Sequence, residues 1–250
     1  MKIIKRLIYL LISVFAFSSC TDIKEDFTIS NVGWDYFPLN QNMYWIYKVD
    51  SITYALEGTS IDTTSSYIRE EIVEVFVDNV QDTIYRIERY YSDSLNGNWR
   101  VTDEWSARIN SIQAIRTEEN LKFIKLTFPF NENKRWNGNS QIIQDTIIVA
   151  GENIDEFYED WDYEILRFDT PDTINNIFYQ NVATIQNADS ETLLNRKFAF
   201  EKYAKDIGLV QKYHFFLFND SSIGVTDSVN WEEIAHKGYI MDMQLIEYGN

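Results

Sequence analysis

From Trp34 onward the dominant hydrophobic period of this chain is two, and nothing else in it restricts the fold as strongly. Met43, Trp45, Tyr47 and Val49 alternate with Tyr44, Ile46, Lys48 and Asp50. Trp99, Val101, Trp105, Ala107 and Ile109 fall on one face of a strand, with Arg100, Thr102, Glu104, Ser106 and Arg108 on the other. The rows Leu209, Tyr213, Phe215, Leu217 and Tyr239, Met241, Met243, Leu245 repeat the pattern. Alternation of this kind marks half-buried antiparallel strands, because successive side chains point to opposite faces. Further strands are expected over 66–78, 82–91, 111–117, 120–128, 142–149, 161–168, 176–187 and 195–203, giving about twelve in all, with short connections.

Turn chemistry supports the same reading. Asn96-Gly97 and Asn137-Gly138 are hairpin signals, since both residue types tolerate positive φ, and Lys205-Asp206-Ile207-Gly208 should turn the chain between two aromatic-rich strands. Alternation stops near the C-terminus. There Asn230 with Glu233 reads as a helix start and Lys237-Gly238 as its end, so a short helix is expected over 231–237 and a weaker one over 153–159. No repeat of fixed period and no linker divides the body. Aromatic residues are 16% of the chain, while nine Gly and three Pro argue against low complexity. The expectation is one all-β domain of antiparallel strands over 34–250, as a curved sheet or half-barrel first and a two-layer sandwich second.

The N-terminus follows different rules. Lys2, Lys5 and Arg6 precede an apolar run from Leu7 to Phe17 that is too short to span a bilayer, which takes about 20 apolar residues. Phe17-Ser18-Ser19-Cys20 then ends in the only cysteine. The segment resembles a bacterial lipobox, although Phe17 stands where Leu is usual and Ser19 where Gly or Ala is commoner. The resemblance implies that 1–19 is a lipoprotein signal peptide, that Cys20 is lipidated, and that 20–33 is a tether. A lone thiol in an oxidising compartment is otherwise a liability, and several acyl chains on one residue anchor stably without a helix. Lys24-Glu25-Asp26 resembles the surface-export signal of Bacteroidota lipoproteins; the alternative is a merely polar linker. Loss of three basic residues in 1–19 takes the formal net charge from −17 to −20. Such a surface excludes nucleic acid and electrostatic docking on anionic lipid.

Ten of the twenty Asp residues are followed by Ser or Thr, against about 2.6 expected from composition. The hydroxyls at Ser51, Thr63, Thr83, Ser94, Thr146, Thr173 and Ser228 resemble the O-glycosylation sequon of Bacteroidota envelope proteins. A turn leading into a strand generates the same tripeptide, because Asp makes Asx-turns and Thr-Ile starts a strand. The carboxylates of Glu152 to Glu164 match no calcium loop and read as a solvated acidic loop. Asp103 interrupts an apolar row, so it needs a partner, and Arg89 on the preceding strand is placed to supply one. No nucleophile or zinc motif is present, and His214 and His236 read as structural. Hence no catalytic residue, metal site or cofactor is assigned. Trp34, Tyr36 and Phe37 either cap one end of the sheet or form a binding surface for a sugar or a protein.

Three segments together resemble uncharacterised Bacteroidota lipoproteins: Tyr36-Phe37-Pro38-Leu39 running into Trp45-Ile46-Tyr47, Phe128-Pro129-Phe130 followed by Trp136-Asn137-Gly138-Asn139, and Tyr203 to Val210. That family has no activity to carry over. The expectation is a lipid-anchored, non-enzymatic binding or accessory protein of the outer membrane, on its periplasmic face or at the cell surface, with a protein or glycan partner. A carrier holding an apolar ligand in the curved sheet is the second reading, and a carbohydrate-active hydrolase with two carboxylates is the third.

Overall fold

The computed structural model describes residues 32–55, 60–142, 148–149, 152–153, 158, 161–219 and 230–250. Alternating apolar residues form the strands β1 (Tyr44–Ala55), β2 (Ser60–Val77), β3 (Thr83–Ser92), β4 (Arg100–Ile109), β5 (Gln113–Glu118), β6 (Leu121–Thr127), β7 (Arg135–Trp136), β8 (Ile148–Val149), β9 (Glu152–Asn153), β10 (Tyr163–Ile174), β11 (Ile177–Glu191), β12 (Asn195–Ala204), β13 (Gly208–Phe218) and β14 (Lys237–Gly249). A single α-helical turn, α1 (Trp231–Ile234), precedes β14. Among the described residues β8 and β9 pair only with each other; the other twelve strands make one antiparallel sheet in the order β6-β5-β4-β3-β2-β1-β14-β13-β12-β11-β10-β7.

The sheet is two meanders joined by the first and last long strands. Residues of β1 pair with β14 from Tyr44↔Gly249 to Tyr54↔Gly238. Neighbours elsewhere follow one another in sequence, except β10 and β7. Twist carries the two outer edges toward each other, and three groups stitch them into a nearly closed barrel. The Ile124 amide donates to the Gly138 carbonyl at 2.8 Å, and Trp136 Nε1 donates to the Ile124 carbonyl at 2.8 Å. Gly138 is required there because a Cβ would lie 2.3 Å from the Tyr163 ring.

The main core lies inside the barrel, with Tyr47, Ile72, Tyr163, Ile165, Ile185, Tyr203 and Phe216 among its buried residues. Trp231 and Ala235 of the helical turn cover Tyr54 and Leu217 in a second, smaller cluster. Val32 to Asn42 crosses one mouth of the barrel as a cap. Tyr36 stacks on Phe130 with ring centroids 5.3 Å apart and donates its hydroxyl to Asp169 Oδ1 at 2.5 Å. Gly33 adopts φ 91° directly over the Phe130 ring, where a Cβ would lie 2.6 Å from its carbons.

Several local expectations are corrected. The helical segment stops at Ile234, the Asn230 side chain makes no cap bond, and instead its amide donates to Glu233 Oε1 at 2.9 Å. Gly238 belongs to β14, not to a helix end: its φ is 125° and a Cβ would lie 2.0 Å from the Phe216 carbonyl oxygen. Neither Asn96-Gly97 nor Asn137-Gly138 adopts positive φ, whereas Asn175-Asn176 and Asp206 do. A register shift at Arg89/Tyr90 breaks the row expected along β4, leaving Val101 59% exposed. Most of the helix expected over 153–159, and 143–147 of the strand expected over 142–149, lie outside the described residues.

Candidate functional site

Six strands send charged side chains into the barrel: Glu70 from β2, Arg89 from β3, Arg116 and Glu118 from β5, Lys125 from β6, Glu201 from β12 and Lys212 from β13. They pair with one another, with the Nε atoms of Arg89 and Arg116 left buried and without a hydrogen bond among the described residues. Arg116 Nη2 meets Glu70 Oε2 at 2.5 Å, and its Nε lies 3.4 Å from Glu118 Oε1. Lys125 Nζ bridges Glu118 at 3.2 Å and Glu201 at 2.9 Å. Lys212 Nζ stands 3.7 Å from Glu118 and 3.9 Å from Glu201. The Tyr203 hydroxyl donates to the free oxygen of Glu201 at 2.6 Å. Arg89 and Arg116 each lie over the Trp105 ring, at 4.6 and 4.9 Å from its centre.

Burial pushes the Glu118 carboxyl upward, but Lys125, Lys212 and Arg116 outweigh it and hold the group far below the usual carboxylate range. Glu201 is lowered in the same way: burial opposes, and Lys125 and Lys212 prevail. The lysines divide. Burial works against the charge of both, yet Lys125 ends above its ordinary value because Glu118 and Glu201 touch it. Lys212, farther from those carboxylates, ends below. These carboxylates are thus ion-paired anions, the opposite of the raised, protonated group that a general acid needs. A cavity of about 60 Å³ between the ions and Met241 and Met243 has room for a few waters, and one of about 30 Å³ lies between Trp45, Tyr47 and the cap. Carriage of an apolar ligand calls for several hundred Å³ of apolar space; here charged side chains occupy that part of the interior.

The Arg89–Asp103 pair has the form expected, with the residues directly opposite in register and Nη1–Oδ2 at 3.3 Å. His214 is a core residue 7% exposed, packed edge-on to Trp161 and bonded through Nδ1 to the Tyr239 hydroxyl at 3.0 Å. The His236 amide donates to the Phe218 carbonyl at 2.8 Å. Of the acidic stretch 152–164, Asp162 and Glu164 both pair with Arg135, at 3.4 and 2.7 Å. Among the described residues no three His, Cys, Asp or Glu groups are placed to hold a metal ion.

Of the three candidate binding aromatics, the structure exposes only Trp34, at 48%; Tyr36 and Phe37 are buried at 0% and 8% because they plug the mouth. Thr63, Thr83, Ser94 and Thr173 are exposed. Ser51 is half-buried and paired in register with Met241, on the row of Val49 and Tyr47. Thr146, Ser228 and Cys20 lie outside the described residues.

Beside the cap, a groove of about 260 Å³ opens at the same mouth. Its walls are the start of β11, the turn between β12 and β13, and the end of β14. Phe178 is 67% exposed, Tyr248 49% and Ile177 39%. Gln180, Asn181 and Asp206 stand among them. Lys205 is engaged by Asp35 of the cap at 2.8 Å. Tyr179 lines the groove yet is only 5% exposed, and its hydroxyl is buried without a hydrogen-bond partner among the described residues.

No protein-family model matches the chain, and no curated protein matches it significantly. Three solved chains resemble it, two of them as follows. A “putative exported protein with YmcC-like fold” from Bacteroides fragilis is 9% identical with a TM-score of 0.41, over 86% of this chain and 98% of its own. A “putative lipoprotein” from Parabacteroides distasonis is 12% identical with a TM-score of 0.37, over 88% of this chain and 99% of its own.

Proposed function

We propose that this chain is a lipid-anchored, non-enzymatic binding or accessory protein of the outer membrane or cell surface, and that it binds through the groove at the capped mouth of its barrel. The observation that carries this reading is the mutual neutralisation of the interior ions. The barrel interior is spent on holding the barrel together, so recognition is left to the outside. Exposed aromatic rings beside polar side chains are what a recognition surface offers. The lipobox-like Phe17-Ser18-Ser19-Cys20 supports the anchor, and the formal net charge of −17 fits a protein that does not dock on anionic lipid by charge.

Anchor and groove are tested separately. Labelled palmitate should enter the wild-type protein in a bacterial host and not Cys20→Ala; equal labelling of both, or of neither, overturns the anchor. A benzophenone amino acid at position 178, which inserts into C–H bonds on illumination, should give adducts on cells. The same probe at position 63, on the exposed part of β2, should give none. Silence at 178, or equal reaction at both, overturns the groove as the contact site.

A further inference from the structure

We infer that the groove takes a neutral saccharide, stacked on Phe178 and Tyr248 and hydrogen-bonded by Gln180, Asn181 and Asp206; this rests on the groove being the contact site. Three observations select that class. Phe178 and Tyr248 are exposed at the capped mouth of the barrel, and exposed aromatic faces suit a pyranose ring, whose axial C–H groups form a flat apolar side. The rest of the lining mixes apolar Ile177, Ala204 and Ile207 with the side-chain amides of Gln180 and Asn181, the latter already donating to Asp169 Oδ1 at 3.4 Å, and with the exposed Asp206 carboxylate, able to accept from hydroxyls.

The groove's cation is already committed. Lys205 is held by Asp35 at 2.8 Å, and the shared hydrogen bond with that carboxylate raises the affinity of the lysine for its proton. A phosphate or an acidic sugar would therefore meet Asp206 and Asp35 with no free cation among the described lining residues to offset them. The volume of about 260 Å³ falls just under the roughly 300 Å³ at which sites for drug-sized ligands begin. That suits one sugar ring, or the end of a glycan whose remainder stays in solvent.

The test is calorimetric titration of detergent-solubilised full-length protein with neutral gluco-, manno- and galacto-oligosaccharides and N-acetylhexosamine oligomers, alongside hexose phosphates and polygalacturonate. At least one neutral sugar should bind. Phe178→Ala or Tyr248→Ala should weaken it by about tenfold or more, the loss of one stacked ring, at an unchanged melting temperature. Thr63→Ala should leave the affinity as it is. Absence of binding by every neutral sugar at millimolar concentration, preference for the anionic probes, or binding indifferent to Phe178 and Tyr248 overturns the inference. Adducts at position 178 together with silent titrations would mean that the groove is used but the ligand class is wrong.

Discussion

Burial dominates at His214, with repulsion from Lys212 and Lys125 added, so the imidazole is held neutral well below the usual histidine range. A group with a depressed folded value binds fewer protons folded than unfolded, so stability falls as the medium is acidified. The His214 contribution is complete above about pH 6.5, where the unfolded residue titrates, and is lost as pH drops from there toward the folded value. Glu118 and Glu201, also depressed, add a second loss beginning below about pH 4.3. Urea midpoints should therefore fall between pH 7 and 5 in the wild type. In His214→Phe that window should be flat while the loss below pH 4.3 remains; a wild-type midpoint constant down to pH 5 would contradict the neutral imidazole. Lys125 can be tested the same way. Lys125→Met strands two buried carboxylates and should cost about 3–5 kcal/mol in denaturant unfolding, much of it recovered when Glu201→Leu is added. These residues were visible before any coordinates. Glu70 stands between Ile68 and Ile72, Arg116 after Ala114, and Glu201 between Ala199 and Tyr203. Each is a charge in an apolar row, the signal that located Asp103. What the rows lack is which strands face each other across the interior, so the partners could not be named.

Strand existence was legible because the apolar period extends over most elements; strand ends were not, because polar residues continue the pairing. β2 begins six residues earlier than alternation predicts, at Ser60, where Ser, Asp and Thr side chains face solvent but the backbone still pairs with β1. Gly238 misled for a related reason. Glycine after a helical turn reads as a terminator, but here it lets β14 pass close to the Phe216 carbonyl. Gly238→Ala should cost about 1–3 kcal/mol from backbone strain alone, more with the clash, and should lower the melting temperature; an unchanged value would mean that the close approach is dispensable. β7 was not expected at all, since two residues carry no period. Its Trp136 closes the seam through one indole hydrogen bond, so Trp136→Phe should lose about 1 kcal/mol and speed amide exchange at Ile124 more than at Ile185 in β11. Equal acceleration at both sites would point to general loosening instead.

For the molecule as a whole, the decisive contact is the pairing of β1 with β14. Alternation pointed to antiparallel strands, with a curved sheet ahead of a two-layer sandwich, and chain order alone did not show that the two halves meet at the first and last strands. Short hairpins account for the other long pairs, which is why a meander was legible and its junction was not. Removal of 237–250 deletes the strand whose backbone ladders join the two halves and should abolish the cooperative thermal transition. A truncated protein that still melts sharply would show that either meander is stable alone.

That junction also sets a schedule. Any machinery that delivers this polypeptide from its amino end presents β1 long before the thirteen residues of β14 exist to cover it. The interval leaves an unpaired edge of twelve residues open to self-association, and the contact that ends it spans nearly the entire sequence, the kind that forms slowly. Safe passage thus depends on a holding factor, or on rapid completion of synthesis and translocation, more than on the stability of the finished barrel.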